Sequence, residues 1–143
     1  KMITRVFIID TNVLVAGLIT REPASPTSRI LDFMLDGSLY FLLSGELLRE
    51  YRSVLLRPRA GLHGLQEMDI EQLLVEITVN AIWRDPVHDK DHSSPDPEDA
   101  HLWALLATDP SAVLITGDRL LLENPRPQSS VISPSTWAEH FRA

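Results

Sequence analysis

The sequence predicts an α/β protein, a three-layer α/β/α arrangement around a central, mostly parallel sheet of four or five strands. Three observations lead there. Residues 5–9 and 112–115 are short β-branched runs, apolar at both alternating positions, as strands buried on both faces of a parallel sheet must be. Stretches of helical periodicity separate the strand candidates, so strand and helix alternate along the chain. The 143 residues, 44% hydrophobic and 23% charged, have the size and composition of one globular domain, expected to span residues 2–143.

The elements follow in order. The first strand ends at Asp10-Thr11-Asn12. A helix over 27–36 carries Ile30, Leu31, Met34 and Leu35 at helical spacing and stops at Gly37, a natural C-terminal cap. A second strand is expected at 39–43. Ser44 then caps a helix to about 56, with Leu47, Leu48, Tyr51, Val54 and Leu55 on its apolar side. Asp69, with Gln72 three residues on, predicts a capping box for a helix to about 80. Asp96-Pro97 is a cap followed by proline at the first helical position, opening a helix through about 107. The strand 112–115 ends in Thr116-Gly117-Asp118, a further strand is expected at 129–132, and Ser133-Pro134 opens a last helix over 135–140. The Pro- and Gly-rich breaks near 23–26, 58–64, 86–97 and 125–127 read as loops, because apolar periodicity resumes on both sides of each.

Composition narrows the chemistry. With no cysteine, thiol catalysis, thiolate zinc sites and disulfides are excluded. The net charge of −7 argues against a protein that coats nucleic acid by general attraction, while leaving room for a small basic groove. No apolar run approaches the roughly 20 residues of a membrane span, and the apolar start is cut short by Asp10, so a soluble, cytoplasmic protein is expected, with no membrane partner.

In open parallel sheets ligands sit beyond the carboxyl ends of the strands, where strand order reverses. Two strands deliver an aspartate to that edge, Asp10 and Asp118. Turn formation or helix capping accounts for either residue alone, but not for the pair in one small chain. Asp96 and Glu98 are explained as first-turn acids that complement a helix dipole. Asp99 shares a helix face with Leu102, Trp103 and Leu106, which points it inward, where a carboxylate needs a partner or a metal. Glu50 lies at helical spacing from Leu47 and Val54, a partly buried acid at the core's edge, whereas Glu46 reads as a surface residue. Four carboxylates converging at one edge repel one another and take up protons unless a hard divalent cation holds them. Oxygen-only ligation suits Mg²⁺ or Mn²⁺ better than zinc, and such a site activates water and clamps a phosphate.

The segments Ile8-Ile9-Asp10-Thr11-Asn12-Val13-Leu14, the Ser44-to-Glu50 spacing, Asp96-Pro97-Glu98-Asp99, Leu114-Ile115-Thr116-Gly117-Asp118 and Val131-Ile132-Ser133-Pro134 stand in the order and spacing of PIN domains. The chain resembles that family over essentially its whole length. The resemblance implies a metal-dependent endoribonuclease, often the toxin of a VapC-type toxin–antitoxin pair. Asp10, Glu50, Asp99 and Asp118 match the family's acidic metal cluster, which holds one or two Mg²⁺ or Mn²⁺ ions. Asn12, Ser44 and Thr116 match the polar residues that support it, and Asp96 matches a less essential acid. Glu98 stands where many relatives have aspartate. The implied reaction is in-line hydrolysis of RNA leaving a 5′-phosphate, and the implied partners are an antitoxin protein and a second copy of the chain in a homodimer.

Other residues are weighed beside these. Arg49, Arg52, Arg57 and Arg59 concentrate positive charge in and after the Glu50 helix, and Arg119 directly follows Asp118, so all five are candidates for RNA contact. His88-Asp89-Lys90-Asp91-His92 lies in a proline-flanked stretch and reads as an exposed polar loop rather than a metal site. His101 is expected at the surface, and Trp83, Trp103 and Trp137 in the core or an interface. Two alternatives stand: a PIN-like binding module without activity, and a phosphatase of the haloacid dehalogenase type, whose second acid is missing because its position holds Asn12.

Overall fold

The edge at which ligands are expected is set by three parallel strands, β1 (Phe7–Ile9), β4 (Val113–Ile115) and β5 (Ser130–Ile132), in the order β1-β4-β5 of a computed structural model that describes residues 5–57 and 64–141. Ile9 pairs with Ile115, and Ile115 with Ile132, so these strands finish level with one another. β1 and β4 are buried at every position, which requires cover on both faces of the sheet. A parallel pair, β2 (Leu42–Leu43) with β3 (Ile82–Trp83), lies on the other side of β1. One bridge between Phe7 and Phe41, with the Phe7 N–H donating to Tyr40 O at 2.9 Å, joins the two pieces. The main sheet therefore has three strands, fewer than the four or five expected, because the 39–43 strand shrinks to two paired residues and its ladder meets β1 at a single bridge.

From β1 the chain goes to β2 and β3 on one side and later to β4 and β5 on the other. The crevice of this reversal opens beyond the ends of β1 and β4.

Helix starts follow the caps. Ser25 caps α2 (Pro26–Asp36), and Gly37 closes it at φ 84°, a left-handed conformation that glycine adopts without steric cost. Ser44 caps α3 (Gly45–Leu55) and Ser133 caps α7 (Pro134–His140). α4 runs Glu67–Asn80, and its box differs from the expected Asp69 and Gln72: Asp69 is the third helical residue, accepting from the Gln66 N–H at 3.1 Å. Two helices carry no sequence signal of the usual kind. In α1 (Thr11–Ile19) apolar residues fill nearly every position from Val13 on, leaving no polar face to reveal the period, and α6 (Arg119–Glu123) is only five residues long. The segment opened by Asp96 begins as a 3₁₀ turn, Pro97–Asp99, before α5 (Ala100–Thr108), so the expected single helix is two pieces.

The core joins both faces. Tyr51, Trp103 and Trp137 are buried in it, while Trp83, at the end of β3 and expected in the core or an interface, is half exposed and so lies outside the core. The Tyr51 hydroxyl donates to Ile9 O at 2.6 Å, tying α3 to the end of β1. Burial pushes the phenol well above its ordinary pKa, so it stays a donor. The Tyr51→Phe variant leaves that buried acceptor short of a partner and is expected to lose about 1–2 kcal/mol of stability, read from urea unfolding.

Candidate active site

The site begins where β1 stops. Asp10 is the N-cap of α1, its Oδ1 accepting from the Thr11 N–H at 2.8 Å, and it is 5% exposed. Its Oδ2 accepts from the Thr116 hydroxyl at 2.8 Å and from Asn12 Nδ2 at 3.1 Å. Asn12 Oδ1 accepts from the Gly117 N–H at 2.8 Å, and Thr116 Oγ1 accepts from the Asp118 N–H at 3.0 Å. A Cβ at Gly117 would sit 3.2 Å from Asn12 Oδ1, so this close approach favours glycine. Burial raises the Asp10 pKa, more than the Thr116 and Thr11 hydrogen bonds lower it, and the Glu50 charge adds to the rise.

Glu50 reaches the same place from α3. Thr11 Oγ1 donates to its Oε2, and His101 Nε2 stands 3.4 Å from its Oε1, at ion-pair distance but not aligned as a hydrogen bond. His101 does most to hold the Glu50 carboxyl below its ordinary pKa, against partial burial, with Thr11 and Arg57 helping. In return, burial of the imidazole is outweighed by the nearby carboxylates of Glu50, Glu46 and Asp99, and its pKa rises. His101 is thus a buried residue, 6% exposed, and not the expected surface one. A signal was present: it opens the run His101-Leu102-Trp103-Ala104-Leu105-Leu106, a helical stretch with no solvent face for it to occupy. Thr11, hidden inside the Asp-Thr-Asn triplet, carried none.

Asp99 comes from the turn before α5 and Asp118 from the end of β4. The Asp99 pKa is raised to about 6, first by burial and then by the charges of Asp10, Asp96, Asp118 and Glu50. Asp118 caps α6 through Oδ1, which accepts from the Leu120 N–H at 2.9 Å. Asp96 is exposed and caps the 3₁₀ turn, accepting from the Glu98 N–H at 2.9 Å. Ser44 is buried and its hydroxyl accepts from the Leu47 N–H at 3.1 Å, so it starts the helix that bears Glu50.

Among the described residues no three His, Asp or Glu side chains close on one point at ligand distance. The donor chemistry nevertheless fits a hard divalent cation. All the acids offer oxygen, and the charges of Asp10, Asp96, Asp118 and Glu50 add to burial in raising the Asp99 pKa. The Asp99 carboxylate and Asp118 Oδ2 accept no hydrogen bond among the described residues, and these are the oxygens left over for ligation.

The arginines differ. Arg52 grips Glu71 of α4 through Nε and Nη2, the latter at 2.9 Å, and Arg119 pairs with Glu123 at 3.0 Å while staying largely exposed. Arg49 and Arg57 are exposed, and Arg59 lies outside the described residues. In the His88-to-His92 loop, expected to be exposed throughout, Asp89 is buried and bonded to Arg126 Nε at 2.8 Å, because its carboxylate also caps the loop's own N–H groups of Asp91 and His92. A cavity of about 430 Å³ adjoins the cluster on the His101 side, with Gly45, Glu46, Arg49, Asp85 and His88 on its walls.

The family model described as PIN domain matches residues 6–120, a span that holds every acid of the cluster. Domains of this kind are generally nucleases. No curated protein matches the chain. No helix among the described residues is long and apolar enough to cross a membrane.

The raised Asp99 pKa sets a pH dependence. A carboxyl whose folded-state pKa of about 6 exceeds its ordinary 3.8 contributes stability in full below 3.8, and that contribution is lost as pH rises through about 6. Asp99→Asn has no charge to acquire. Its melting temperature is expected to equal that of the wild type near pH 4 and to exceed it by about 3 °C at pH 7.5, measured by calorimetry without divalent ions.

Proposed function

The chain belongs to the PIN domain family, and from that premise we propose that it is a divalent-metal-dependent endoribonuclease, hydrolysing RNA phosphodiester bonds at Asp10, Glu50, Asp99 and Asp118. The observation that carries this is the joining of the level ends of β1 and β4 at the reversal point of the sheet, where Thr116 and Asn12 tie the Asp10 segment to the Asp118 segment and Thr11 brings Glu50 to the same place. Acids from four separate elements crowd there at a cost that a bound cation removes.

Asp99 and Asp118, whose carboxylates keep uncommitted oxygens, would hold Mg²⁺ or Mn²⁺, with Asp10 contributing from its fixed position between Thr11 and Thr116 and Glu50 adding to the negative field. Bound there, the cation supplies Lewis acidity, lowering the pKa of a water and offsetting charge on the phosphate oxygens. The protein's own part is positional. Asn12 and Thr116 keep the ends of β1 and β4 level, Thr11 fixes Glu50, and no side chain serves as nucleophile. Arg49, Arg57 and Arg119, all exposed around the cluster, receive the RNA backbone.

The finer role, toxin of a toxin–antitoxin pair, acting as a homodimer with an antitoxin protein as partner, draws its support from the VapC-type likeness of the ordered motifs. The alternative, a binding module without activity, takes its support from the absence of three ligating side chains at one point among the described residues.

One assay separates the two. Purified protein is incubated with single-stranded and structured RNA in Mn²⁺, Mg²⁺ or chelator, beside Asp10→Asn and Asp118→Asn, variants that keep the capping oxygens. Metal-dependent cleavage, slowed at least about 100-fold in each variant with circular dichroism unchanged, is the expected result. Cleavage equal in variants and wild type overturns the site, and a folded protein that cuts no RNA in any metal transfers the case to the binding module.

A further inference from the structure

Three helices meet at the carboxylate of Glu50. α3 carries it, the first turn of α1 bonds Oε2 through the Thr11 hydroxyl, and the first turn of α5 sets His101 Nε2 3.4 Å from Oε1. His101 is the outlier among these. Its side chain is 4% exposed, and neither ring nitrogen has an aligned hydrogen-bond partner. A buried imidazole in that condition costs free energy, and the five positions after it, Leu102-Trp103-Ala104-Leu105-Leu106, show that an apolar residue packs well in this helix. The polar edge of the ring is accounted for by the one charge it faces at contact distance, Glu50.

We propose that His101 is a positioning residue for Glu50, setting together with Thr11 the direction in which that carboxylate faces the cation site; the role rests on the metal-dependent reading above. Glu50 has a side chain 31% exposed on a helix surface, and with one oxygen released it is free to swing toward solvent. His101 blocks that swing. It also follows Asp99 by two residues, so the start of α5 delivers one acid to the site and orients another.

The test is a double-mutant cycle read on Mn²⁺ affinity, measured by titration calorimetry on the full chain with melting temperatures as a check on the fold. His101→Ala and Glu50→Ala are each expected to weaken Mn²⁺ binding about ten- to a hundredfold. The double variant is expected to bind no more weakly than Glu50→Ala alone, since His101 acts through Glu50. His101→Gln, which keeps a polar side chain within reach of Oε1, is expected to restore most of the affinity. Losses that simply add in the double variant, or an unchanged affinity in His101→Ala, overturn the positioning role. If His101→Ala does not fold, His101→Asn takes its place in the same cycle. A wild type that takes up no Mn²⁺, indistinguishable from Asp10→Asn, overturns the metal reading itself and the positioning role with it; Mn²⁺ uptake lost in Asp10→Asn but untouched at His101 sinks the second alone.

Discussion

Everything at this site depends on how the ends of β1 and β4 are joined. The sheet itself supplies one link there, the Asp10 N–H donating to Ile115 O at 3.0 Å. Beyond it the strands turn away into α1 and α6, and side chains take over. Asn12 reaches across to the Gly117 N–H, Thr116 reaches back to Asp10, and the Thr116 oxygen accepts from the Asp118 N–H. Each residue of Thr116-Gly117-Asp118 is therefore fixed relative to Asp10-Thr11-Asn12. Buried polar groups are stable only when satisfied in this way, and the same bonds that satisfy them hold Asp10 and Asp118 side by side. Precise spacing of the two acids is a by-product of closing the strand ends.

Charge is then added to a frame that is already rigid. Asp10 is hydrogen-bonded at both oxygens and Glu50 is contacted at both, so neither relieves repulsion by moving. Asp99 accepts no hydrogen bond among the described residues, and its pKa is raised first by burial and then by the charges of Asp10, Asp96, Asp118 and Glu50. Anchored acids beside one uncommitted acid are the arrangement that the proposed cation site would require.

Legibility in the sequence follows from the kind of signal each element sends. Strands buried on both faces announce themselves by continuous β-branched runs, which is why β1 and β4, with Asp10 and Asp118 at their ends, could be read directly. Ser44 and Ser133 caps were equally plain, being local chemistry. What escaped was either featureless or long-range. α1 is too uniformly apolar to show a period, and β3 is a two-residue strand whose existence depends on pairing with β2, itself expected but longer, at 39–43. The burial of His101 was signalled by the apolar run it opens, but its partner was not, since Glu50 lies on another helix, 51 positions away in the chain. Asp89 was missed for the same reason, its partner Arg126 lying in a distant loop.

The acidic total of the chain and an RNA substrate are compatible because the basic groups near the cluster are not equivalent. Arg52 meets Glu71 through two nitrogens and so ties α3 to α4; drawing it toward a phosphate would loosen the helix that carries Glu50. Arg119 pairs with Glu123 in the open, with a side chain 86% exposed, and such a pair is worth only about 0–1 kcal/mol. Displacing Glu123 from Arg119, one residue from Asp118, would therefore cost a phosphate little. Overall negative charge disfavours RNA over the surface at large, and under the proposed function exchangeable cations at the rim would admit it where the carboxylates are. The same −7 that argues against a general RNA-coating protein is thus consistent with one that engages RNA at a single edge.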